Sequence, residues 1–133
     1  MKTEAFYRMV REASAEQHRE EVERGTAAVF HALRDRLTKE EASQLAAQLP
    51  EPLKAVWSAG ECSGRRPTEL DRNAFYAHVM REARLASTRE ARWMTLAVFA
   101  ALKEQLSPGE AEDVMAQLPK DLKEVWLEAG ARA

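Results

Sequence analysis

AAQLPEPLKAVW, residues 46–57, returns as MAQLPKDLKEVW at residues 115–126. Proline pushes the residue before it out of the helical region, yet suits the first turn of a new helix. Leu49-Pro50 and Leu118-Pro119 therefore read as corners, each ending one helix and starting the next. Beyond the corner, Leu53, Val56 and Trp57 recur at the three-and-four spacing of one helical face, as do Leu122, Val125 and Trp126. Gly60 and Gly130 stand where a left-handed residue closes such a helix.

The match extends well upstream. Shifting the chain by 69 positions aligns residues 5–57 with 74–126 without a gap, and a direct count gives 22 identities in the 53 pairs. In each copy a first helix, begun near Thr3 or Asp71, carries a stripe of Phe6, Met9, Val10 and Ala13, or Phe75, Val79 and Ala83. A longer second helix follows Ser14 or Ser87, and Ser14-Ala-Glu-Gln17 has the form of a capping box. Val22, Thr26, Val29, Phe30, Leu33 and Leu37 mark its buried face, matched by Ala91, Thr95, Val98, Phe99, Leu102 and Leu106. Thr38-Lys-Glu-Glu41 and Ser107-Pro-Gly-Glu110 are further capping boxes that start a third helix in each copy. The expected fold is all-α, with two tandem, pseudo-symmetric lobes of about four helices each packed into one globule. Residues 1–60 form the first lobe, 61–72 a linker and 73–133 the second lobe. A unit of about 60 residues without disulfide or metal is marginal alone, which favours a shared core.

A helix beginning AFY, a long helix ending AVFxALxxxL, a Ser/Thr-x-x-Glu-Ala cap and then AxQLPxxLKxVW together resemble the bacterial family catalogued as domain of unknown function 2267. The resemblance covers nearly the whole chain and is most specific from Glu41-Ala42 to Leu53 and from Glu110-Ala111 to Leu122. It implies a compact helical protein and brings no catalytic or binding residues with it.

Composition narrows the partners. The chain has 133 residues, 45% hydrophobic and 32% charged, with formal net charge −2. Both signs are mixed throughout, so no nucleic-acid partner is expected. Arg65, Arg66, Arg72, Arg81, Arg84, Arg89 and Arg92 are interleaved with Glu61, Glu69, Asp71, Glu82 and Glu90, which reads as a self-compensated surface. Apolar stretches such as Trp93 to Leu102 fall short of the roughly 18–20 residues of a membrane span. The start MKTEAFYRMVRE lacks a signal peptide's apolar core, so the expectation is a cytoplasmic protein without membrane contact. The single cysteine, Cys62, excludes an intramolecular disulfide. Arg65 and Arg66 would favour its thiolate, but with no nearby partner it reads as an incidental loop residue.

Catalytic signatures are lacking. His18, His31 and His78 do not repeat and form neither His-Glu-x-x-His nor Glu-x-x-His strings, so no metal ligands are assigned. Glu20, Glu21, Glu23, Glu40, Glu41 and the run Glu110 to Asp113 read as solvated or dipole-compensating carboxylates. No catalytic triad, phosphate loop or cofactor site is evident. Trp57 and Trp126 share the phase of core leucines and read as core. Trp93 differs: its counterpart is Arg24, and Leu96 continues its face, with Leu85 as a further candidate. This second apolar face either packs between lobes or forms an external interface. The leading functional reading is a non-enzymatic module acting through protein–protein contacts that include self-association, as a homo-oligomer or with another protein partner. The alternative is an apolar small-molecule site between the lobes, lined by Phe30, Met94 and Phe99 together with Trp93. Gln48 and Gln117 are left without a structural duty.

Overall fold

Helix is the only regular structure among the described residues, 2–14, 18–61, 66–67 and 71–130 of the computed structural model. The first half supplies α1 (Lys2–Ser14), α2 (Arg19–Arg36), α3 (Lys39–Ala46) and α4 (Glu51–Ser58). The second supplies α5 (Arg72–Ala83), α6 (Thr88–Gln105), α7 (Pro108–Ala116) and α8 (Lys120–Glu128). Most of the linker, with Cys62, Arg65 and Glu69, lies outside the described residues. No helix among the described residues is long and apolar enough to cross a membrane.

Local chemistry sets the boundaries. Thr38 and Ser107 accept hydrogen bonds from the amides of Glu41 and Glu110, each at 3.2 Å. Asp71 and Ser87 cap α5 and α6 in the same way. Pro50 and Pro119 are the extended N-caps of α4 and α8, so both QLP segments are the expected corners. The box at Ser14 is a correction: Ser14 is the last residue of α1, Gln17 lies outside the described residues, and α2 starts at Arg19. Its N-cap is His18, the 69-shift counterpart of Ser87, and His18 makes no side-chain capping bond. Gly60 and Gly130 take the expected positive φ, 76° and 72°, one residue beyond the extended caps Ala59 and Ala129. At the end of α5 the left-handed position falls to Arg84, φ 59°, with the Leu85 amide donating back to the Met80 carbonyl.

The core is built from matched sets. Phe30 stands edge-on between Phe6 and Trp57, with centroids 5.6 and 5.4 Å away. Phe99 stands likewise between Phe75 and Trp126, at 6.0 and 5.0 Å. Such edge-to-face contacts add to the burial of the rings. Both tryptophans are buried, and the Trp57 indole N–H donates to the Ala42 carbonyl. Arg34 donates to the carbonyls of Trp57 and Ala59 at the end of α4, while its counterpart Lys103 donates to those of Trp126 and Ala129 at the end of α8. Cations at helix C-termini also meet the favourable end of the dipole.

Each first helix packs chiefly on the long helix of the other half: α1 against α6, and α5 against α2. The long helices also meet each other, as do α3 and α7. Where α2 meets α6, Gly25 faces its own counterpart, Met94. A Cβ on Gly25 would come within 2.6 Å of the Met94 side chain, so the small residue makes room for the large one. Phe6, Val10, Phe75 and Val79 are fully buried. Each is worth roughly 1.5–3 kcal/mol, so the exchange of first helices ties the halves into one core.

Candidate functional site

Two places carry chemistry. The first lies where the halves differ. Arg24, on α2, turns its guanidinium to the end of α5 and donates to the Ala83 carbonyl at 2.8 Å. Its counterpart Trp93 makes no such helix-end bond; its side chain can only offer an indole. Trp93 remains 47% exposed, with the Arg89 guanidinium 5.7 Å from its ring centroid. It borders an open groove of about 850 Å³ between α1, α6 and the end of α8. Met9, Ala13, Leu96 and Ala100 give the groove its apolar lining, and Glu12, Arg92 and Glu128 stand on its rim. Arg92 pairs with Glu128 at 2.9 Å. Trp93 and Leu96 are thus brought together, whereas Leu85 does not line this groove and packs against the core beyond the end of α5. Phe30, Met94 and Phe99 are buried within the core.

The second place is the contact of α3 with α7, and it begins with the two glutamines. Gln117 accepts from the Thr38 amide at 3.0 Å. Gln48 accepts from the Ser107 amide at 2.8 Å and donates to the Ser107 hydroxyl at 3.3 Å. Each QLP corner therefore caps a helix of the opposite half. In a full capping box those N-cap amides bond the glutamate three residues on. With the amides already engaged, Glu41 and Glu110 turn inward, each only 7% exposed.

Glu41, Glu110 and the exposed Asp113 place carboxylate oxygens all within 4.8 Å of one another. One oxygen of each glutamate, Oε2, is buried without a hydrogen-bond partner among the described residues. Burial, then the hydrogen bond with Glu41 and the charges of Glu41 and Asp113, pushes Glu110 up to about 8. Two carboxyls this close resist joint ionisation, which a proton on Glu110 or a bound cation relieves. Glu40 and Glu112 are exposed as expected, but Glu41 and Glu110 correct the solvated-face reading. A signal was present: Glu41/Glu110 and Gln48/Gln117 are polar pairs identical under the 69-residue shift. The histidines stand apart from this cluster, with the His31 ring bonded to the Val56 carbonyl and His18 exposed.

The family model described as "Uncharacterized conserved protein (DUF2267)" matches residues 3–125, and the chain belongs to that family. No curated protein matches the chain.

Proposed function

We propose that this member of the DUF2267 family is a non-enzymatic helical module that self-associates through the groove bordered by Trp93 and Leu96. The observation that carries the reading is the 47% exposure of Trp93 beside an apolar groove in a chain that buries its other two tryptophans. Tryptophan, methionine and arginine are the residues in which interface centres are enriched, and Trp93, Met9 and Arg92 meet here. The rim favours a second copy of the chain as occupant. It carries Arg92 beside Glu12 and Glu128, with Arg89 over the Trp93 ring, and a two-fold contact can set the arginines of one chain against the glutamates of the other. A polyanionic partner would call for an uncompensated basic rim.

The small-molecule alternative has less to support it. Phe30 and Phe99 are occupied by the aromatic neighbours described above, and Met94 fills the space over Gly25. Light scattering tests the proposal. Wild type should run at twice the 15.0 kDa chain mass, and Trp93→Glu should run at the single-chain mass with unchanged helical circular dichroism. A wild-type chain that stays single at high concentration would overturn the reading.

A further inference from the structure

We propose that Glu41, Glu110 and Asp113 form a binding site for one divalent cation of the oxygen-preferring class, of magnesium or manganese type, at the contact of α3 with α7. Two oxygens bound to the same ion at about 2.1–2.4 Å stand no more than about 4.8 Å apart. The three carboxylates already lie within 4.8 Å of one another, so small side-chain adjustments suffice to close the shell. An independent observation points to a ligand: among the described residues, Oε2 of Glu41 and Oε2 of Glu110 are buried with no hydrogen-bond partner outside the pair, in residues only 7% exposed. Buried carboxylate oxygens are ordinarily bonded, paired or metal-bound.

The N-cap amides of Thr38 and Ser107 go to Gln117 and Gln48. Among the described residues no lysine or arginine forms an ion pair with any of the three carboxylates. An all-oxygen set without histidine or cysteine suits the hard cations magnesium, manganese and calcium. Asp113 is exposed and marks the open side, where water completes the coordination. Because Glu41 comes from the first half and Glu110 and Asp113 from the second, the ion would clamp the halves together. This inference stands apart from the groove and does not depend on self-association there.

Manganese titration of the chelator-stripped full chain by calorimetry tests it, with calcium and magnesium in parallel. One manganese ion per chain should bind, and the melting temperature should rise with the metal. Glu41→Gln and Glu110→Gln should each weaken binding by about tenfold or more, while keeping the fold, since glutamine preserves shape and removes repulsion. Asp113→Asn should weaken it less. No saturable binding up to about 10 mM, beyond the weakest oxygen-ligated protein sites, would leave a proton-sharing pair only and overturn the proposal. So would one-to-one binding that survives in the Glu41→Gln/Glu110→Gln double variant.

Discussion

Between α3 and α7, two glutamates occupy a space from which the neighbouring glutamines have removed their usual hydrogen-bond donors. Glu110 follows an ordinary carboxylate value of 4.5 in the unfolded chain and about 8 in the fold. Between those values the folded chain holds more protons than the unfolded one. The group's contribution to stability is therefore fully present below pH 4.5 and is lost as pH rises through about 8. In the presence of a chelator, Glu110→Gln should stabilise the chain near pH 8 by up to a few kcal/mol, and by clearly less near pH 5. Thermal melts at the two pH values check this, and an equal effect at both would contradict it. The glutamate spacing was legible as a capping box, but its inward turn was not. A sequence shows the donor that a capping box offers; it does not show that a residue 79 positions away, Gln117 for Thr38, has already taken it.

Helix ends were the most legible elements, because a cap is written in four or five adjacent residues. Thr38, Ser107, Ser87 and the QLP corners all follow from local sterics and hydrogen bonding. Ser14 misled because a helix-compatible run, here the end of α1, can carry a capping string without stopping there. The shift of 69 pointed to the right residue, since it places His18 opposite Ser87. His18 has the extended backbone of an N-cap, φ −110° and ψ 138°, without a side-chain bond to the helix. His18→Ser should therefore stabilise the chain by about 0.5–1 kcal/mol by supplying the missing acceptor. The urea midpoint reads this directly, and a loss of stability would show that α2 begins elsewhere.

Over the whole molecule, the hydrophobic stripes identified which face of each helix is buried but not which neighbour covers it. The stripe of α1 would look the same packed on α2 or on α6. Only the pairing of Gly25 with Met94 records, in hindsight, that counterpart positions of the long helices meet. The groove beside Trp93 was legible in part. A tryptophan replacing the arginine of the other half marked Trp93 and Leu96, while the contributions of Met9 and Ala13 depend on α1 crossing to α6. Self-association at this groove is most directly read by acrylamide quenching of tryptophan emission as a function of protein concentration, because Trp57 and Trp126 are buried and Trp93 is exposed. The quenchable fraction should fall as concentration rises, when a second chain covers Trp93. A fraction that stays constant from the most dilute to the most concentrated solution would contradict the proposed interface.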